Sequence, residues 1–170
     1  MKTQDMREQL VQMGNGAHAL ATQILGNADE AADAPVWLDI SSQVNARSEG
    51  GLLGLAFDPD WPAVAEIYVS YTGTSAGGMR SVVSRFVSDD PVAPGSWREE
   101  QLITVDQDFD NHNGGHIAFD GDGRLILGLG DGGGANDSGS GHAQCGNGQD
   151  DTTLHGKLIR IDPTGAAPNA

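Results

Sequence analysis

From Val36 onward the sequence is a succession of apolar segments five to seven residues long, each closed by turn chemistry. They read VWLDI (36–40), LLGLAF (52–57), EIYVSYT (66–72), SVVSRFV (81–87), QLITVD (101–106), HIAFD (116–120), RLILGLG (124–130) and KLIRID (157–162). Segments of this length between Gly, Pro, Asp and Ser clusters predict antiparallel β structure. Eight strands in about 135 residues fit a sandwich, a barrel or a set of propeller blades, and strand arithmetic does not choose among them. Glycine supports the turns: there are 25 in 170 residues, about twice the usual share. They follow no three-residue period, which excludes a collagen-like helix.

Residues 1–34 read differently. Met6, Leu10, Met13, Ala17, Leu20 and Ile24 recur at spacings of four and three, predicting one helix face, although Gly14 and Gly16 interrupt it. GNADEAADAP (26–35) reads as a linker. The division expected is an N-terminal segment over 1–34 and a β domain over 35–170. The balance of 9 basic against 24 acidic residues gives a net charge of −15. Such a surface repels nucleic acid and anionic membranes. No run of 18 apolar residues offers a membrane span. The first 30 residues lack the basic start and apolar core of a signal peptide. A single cysteine, Cys145, excludes an internal disulfide framework.

The densest chemistry lies between Asp106 and Asp137. The turn GDG joins HIAFD to RLILGLG, a strong hairpin signal. A hairpin sets its outer ends side by side, so NHNGG before the first strand meets GDGGGAND after the second. That puts His112 near Asp131 whatever the fold. A carboxylate beside an imidazole fixes its tautomer, which makes the pair a candidate general base with its orienting partner. The competing reading is a polar loop with a surface histidine and a turn aspartate. GLGDGG (128–133) matches G-x-G-x-x-G, but GANDSGSGHAQ follows it and starts no helix, so a dinucleotide site is excluded. Asp106, Asp108 and Asp110 are spaced as in a calcium loop, yet the sixth and twelfth positions hold Asn111 and Ile117. His112, His116, His142 and Cys145 fit no zinc spacing.

The blocks EGGLLGLAFDPDW (49–61), IYVSYT (67–72), SRF (84–86), NHNGGHIAFDGDGRLILGLGDGGGAND (111–137) and LHGKLIRID (154–162) resemble, in that order, the glucose/sorbosone dehydrogenase family. These are soluble quinoproteins similar to soluble glucose dehydrogenase and aldose sugar dehydrogenase. Hedgehog-interacting-protein-like proteins share the domain. The resemblance covers roughly residues 36–165. It implies an all-β fold, part of a six-bladed propeller of four-stranded antiparallel sheets. It implies pyrroloquinoline quinone as cofactor, calcium beneath the quinone, and oxidation of an aldose at C1 to the lactone. By the family's motifs His112 is the catalytic base and Asp131 orients it, while Glu49 and Asn136 contact the sugar.

A complete family domain is more than twice this length, since six blades need roughly 250–300 residues. The resemblance therefore implies an N-terminal fragment of about three blades, inactive alone. The basic residues that clamp the quinone and most calcium ligands come from later blades in the family. It also implies a periplasmic or secreted protein, an electron acceptor as partner, and self-association through open blade faces. The alternative functions are a non-catalytic propeller binding module, as in the hedgehog-interacting relatives, and a calcium-stabilised acidic β module.

Overall fold

The computed structural model describes residues 36–90 and 95–164. The helix and linker expected before Val36 lie outside them. Seven strands form: β1 (Leu52–Phe57), β2 (Glu66–Ser75), β3 (Gly78–Val87), β4 (Arg98–Gln107), β5 (Gly114–Phe119), β6 (Leu125–Leu129) and β7 (Leu158–Ile161). The one helical element among the described residues is a 3-10 turn at Asn147–Gln149. None of the described helices is long and apolar enough to cross a membrane.

The strands make two antiparallel meanders, one ordered β1-β2-β3-β4 and the other β5-β6-β7. The second sheet stacks on one face of β2 and Trp37, Leu38 and Ile40 cover the other, which explains its near-continuous burial. Its side chains alternate between faces. Ile67, Val69 and Tyr71 join Val82 and Phe86 in one cluster. Tyr68, with Val83, faces Ile117, Leu125, Leu127 and Leu129 of the second sheet. A strand covered on both faces loses the apolar/polar alternation of a solvated sheet. The sheets come close where β1 meets β5: a Cβ on Gly54 would lie 2.6 Å from the Gly115 carbonyl. Successive meanders stacked in this way are adjacent blades of a propeller, the all-β architecture expected. The described residues account for one four-stranded and one three-stranded sheet of it.

Two local readings differ from the structure. VWLDI is no strand; residues 36–40 enter no ladder. Trp37 and Ile40 are nonetheless 2% and 1% exposed and pack on the outer face of β2 and β3. Trp37 meets Trp97 edge-on at 4.4 Å and Trp61 at 5.6 Å. Alternation over five residues specified burial, and burial of each large apolar side chain stabilises by about 1.5–3 kcal/mol with no pairing partner required. The Gln43 N–H bonds the Ile40 carbonyl and turns the chain away. In the other case β4 begins at Arg98, three residues ahead of its apolar run. It is the outer strand of its sheet, where charged side chains stay solvated. Arg98, Glu99 and Glu100 pair with Val87, Phe86 and Arg85, and Glu100 also takes an ion pair from Arg85 at 2.5 Å.

Candidate active site

The hairpin of β5 and β6 turns at Asp120–Gly123, with Asp120 Oδ1 accepting the N–H groups of Asp122 and Arg124 at 2.9 Å each. Its open end carries the site. Gly114 pairs with Leu129, and the Gly130 N–H points to the Asn113 carbonyl at 3.4 Å. His112 and Asp131, the residues just outside this pair, meet at 2.9 Å from Nδ1 to Oδ1. The backbone of His112 is left-handed, φ 53°, a conformation that costs a non-glycine residue about 1 kcal/mol or more. The turn separates two neighbours: Asn113 is 2% exposed in the core, while the His112 side chain is 43% exposed.

Asp131 is fixed from several sides. Its Oδ1 also accepts the Gly133 N–H at 3.0 Å, and its carbonyl accepts Asn147 Nδ2 at 2.8 Å. Burial pushes the Asp131 carboxyl up, but the Gly133 N–H, the His112 ring and the charges of His112 and His142 outweigh it and hold it below the usual range. A carboxylate kept ionised in this way selects the His112 tautomer with hydrogen on Nδ1 and leaves Nε2 as the acceptor.

Glu49 reaches the same point from the other sheet. Thr72 holds the preceding loop: its Oγ1 accepts the Gly51 N–H at 2.7 Å and donates to the Asn45 carbonyl at 2.7 Å. From there the Glu49 N–H bonds the Asp110 carbonyl at 3.1 Å, and Glu49 Oε2 accepts the His112 N–H at 2.6 Å. Glu49, His112 and Asp131 therefore form one connected group. Asn136 lies in the loop after Asp131, exposed and left-handed at φ 59°. Among the described residues no hydrogen bond joins its side chain to the other three.

The remaining candidates separate. Asp106 pairs with Arg80 at 3.0 Å and Asp110 with Arg47 at 2.9 Å, so two of the three aspartates spaced like a calcium loop are engaged in ion pairs. His116 and Cys145 are exposed and stand apart from the site. A groove of about 480 Å³, lined among others by Arg47, Met79, Gln107 and Asp110, adjoins the loop that Glu49 bonds, but neither His112 nor Asp131 lines it. The chain between β6 and β7 starts no α-helix, as its composition predicts.

Sequence reading missed Asn147. Its N–H donates to Asp137 Oδ1 at 2.7 Å, its Oδ1 accepts the Ala143 N–H at 3.2 Å, and its Nδ2 holds the Asp131 carbonyl. Lys157 Nζ then closes the loop on the Asn147 and His155 carbonyls at 2.7 and 2.9 Å. A buried asparagine inside GNGQD carries no spacing signal of its own, so nothing in the sequence singled it out.

Comparison with known proteins shows the family of the chain. The profile of the family described as Glucose / Sorbosone dehydrogenase matches residues 17–170. Aldose sugar dehydrogenase YliI of Escherichia coli K12 is 29% identical over 126 residues, 73% of this chain and 31% of that protein. Among solved structures, the soluble aldose sugar dehydrogenase of Escherichia coli in its apo form superposes with a TM-score of 0.59 at 28% identity, over 75% of this chain and 34% of that one. The PQQ-bound aldose sugar dehydrogenase of Streptomyces coelicolor gives 0.57 at 27% identity, over 78% and 37%. The chain thus spans about a third of the length of these relatives. With its family profile matched over most of its length, the chain belongs to the glucose/sorbosone dehydrogenase family.

Proposed function

We propose that the whole protein is a quinoprotein sugar dehydrogenase that oxidises an aldose at C1 to the lactone, and that this chain supplies its general base. The observation that carries the proposal is the 2.9 Å contact between His112 Nδ1 and Asp131 Oδ1 on a histidine whose ring stays open to solvent. With Nδ1–H donated to Asp131, Nε2 is free to take the proton of the C1 hydroxyl. Glu49 keeps Oε1 to accept a second sugar hydroxyl, and Asn136 offers an exposed amide with donors and an acceptor.

Pyrroloquinoline quinone with calcium is the hydride acceptor this assigns to the whole protein, in line with the PQQ-bound relative. The described residues around His112 do not fit the quinone's carboxylates. They are themselves acidic, and the nearby cations are engaged, Arg47 by Asp110 and Lys157 by main-chain carbonyls. This chain's part is accordingly the proton and the sugar, and alone it is expected to be inactive. We propose that the protein works in the periplasm or outside the cell, in keeping with the family resemblance.

The test is a chimera in which residues 36–164 replace the matching third of aldose sugar dehydrogenase. A folded chimera should oxidise aldoses with added quinone and calcium, and His112→Gln should lower kcat by about 100-fold or more with little change in KM. Near-normal turnover of His112→Gln removes the base assignment.

A further inference from the structure

The loop between β6 and β7 gathers a second set of donors behind the His112–Asp131 pair. One ligand atom each of Asp131, Asp137 and His142 lies within 4.8 Å of the other two. We propose that these three residues bind a divalent transition-metal ion of the zinc class.

Three observations carry the proposal. The His142 side chain is 2% exposed, yet its Nε2 makes no hydrogen bond. A buried ring nitrogen without a hydrogen bond is costly, and this one faces two carboxylates, with Asp137 Oδ1 at 3.4 Å. Its other nitrogen, Nδ1, lies 3.3 Å from the Ser140 carbonyl. Donation there leaves Nε2 with a lone pair, the usual way a protein prepares a metal-binding imidazole.

The carboxylates are prepared in the same sense. Asp137 is held by the N–H groups of Asn147 at 2.7 Å and Gly148 at 2.9 Å. Asp131 uses Oδ1 for His112 and Gly133, and among the described residues no hydrogen bond uses its Oδ2. The spacing of one pair agrees as well. Two ligands about 2.1 Å from a tetrahedral zinc ion stand about 3.4 Å apart, and His142 Nε2 lies 3.4 Å from Asp137 Oδ1.

The donor set selects the ion. One imidazole with two carboxylates suits zinc and its first-row neighbours, whereas calcium takes six to eight oxygens. Three protein ligands leave a fourth position for water. The ion would share Asp131 with His112, but the site stands whether or not His112 is a catalytic base.

The test uses the full chain, freed of metal with a chelator and titrated with Co²⁺ and then Zn²⁺. The expected result is one ion per chain, a visible cobalt spectrum of low coordination number, and displacement by zinc but not by calcium. His142→Ala and Asp137→Asn should each weaken binding at least about 10-fold, and His116→Ala should leave it unchanged. X-ray absorption of the zinc-loaded wild-type chain should show one imidazole, oxygen ligands and no sulfur. That measurement decides alone if a variant fails to fold. Absence of binding by the wild type would overturn the proposal, because His142 is then an ordinary partner of Asp137. So would unchanged affinity in a folded His142→Ala, displacement by calcium, or a spectrum with sulfur or several imidazoles.

Discussion

The main-chain carbonyl of His112 fills the space beside Gly130: a Cβ at residue 130 would lie 1.7 Å from that oxygen. The contact locks the two loops that bear His112 and Asp131, because neither can shift without opening the end of the β5–β6 hairpin. Gly130→Ala must displace the His112 backbone. The expected loss of stability is about 1–3 kcal/mol, the usual range for overpacking, read from denaturant midpoints. Gly121→Ala is the control, since nothing lies within 4 Å of a Cβ there. Equal stability of the two variants would show that the loops are not locked in this way.

The acid limb of the stability curve should report the aspartates of the second sheet. The Thr164 hydroxyl and N–H, with Arg124, hold Asp162 down to about 2. The Arg124 N–H and the Arg160 side chain depress Asp120, and Asp131 is lowered as described above. A carboxyl depressed in the fold adds stability that is present above its unfolded value, 3.8 for these groups, and is lost as pH falls through the folded one. Stability should therefore decline as pH drops below 3.8, with the Asp162 part lasting to about 2. Carbon NMR titration of the side-chain carboxyls checks it. An Asp162 that titrates at 3.8 in the folded chain contradicts the hydrogen bonding described.

How much of this was legible in the sequence depends on the range of each signal. The Asp120–Gly123 turn is local chemistry, and the meeting of His112 with Asp131 follows from the hairpin it makes. The bond from the His112 N–H to Glu49 joins residues 63 positions apart. It exists because two sheets stack at Gly54 and Gly115, which no spacing encodes; only the family resemblance drew attention to Glu49. Trp37 and Ile40 show the converse. Their pattern told that they are buried and not what they pair with. His142 was legible as a metal-binding type of residue, but its partners Asp131 and Asp137 come from the path of an irregular loop.

The two tyrosines of the chain give a probe of the first sheet at high pH. Burial, followed by donation of its hydroxyl to Glu99, pushes Tyr71 up to about 12. Burial and the bond to Glu66 push Tyr68 up further. An acid raised in the fold adds stability that is fully present below its unfolded value of 10.0 and is lost as pH rises through the folded one. Absorbance near 295 nm should thus show almost no phenolate in the folded chain up to about pH 11. It should then appear together with loss of the β signal in circular dichroism. Phenolate that forms near pH 10 in a folded chain would mean that β2 is not covered on both faces.

The outer face of the second sheet should decide how the chain behaves at high concentration. Side chains alternate along β7, so Ile159 and Ile161 point to the first sheet and Leu158 and Arg160 point away. Leu158 is 83% exposed and lies 3.4 Å from where a Cβ on Gly128 would stand, so it rests on bare β6 backbone. In a propeller this face meets the next blade. Covering one leucine is worth about 1.5–3 kcal/mol, against an association cost of about 4 kcal/mol or more, so contact between two copies through this face is weak and needs the apolar surface around Leu158 as well. Sedimentation velocity should show concentration-dependent association of the chain, and Leu158→Glu should abolish it without lowering the melting temperature, because the side chain makes little of the core. Association that persists in Leu158→Glu would place the contact on another surface.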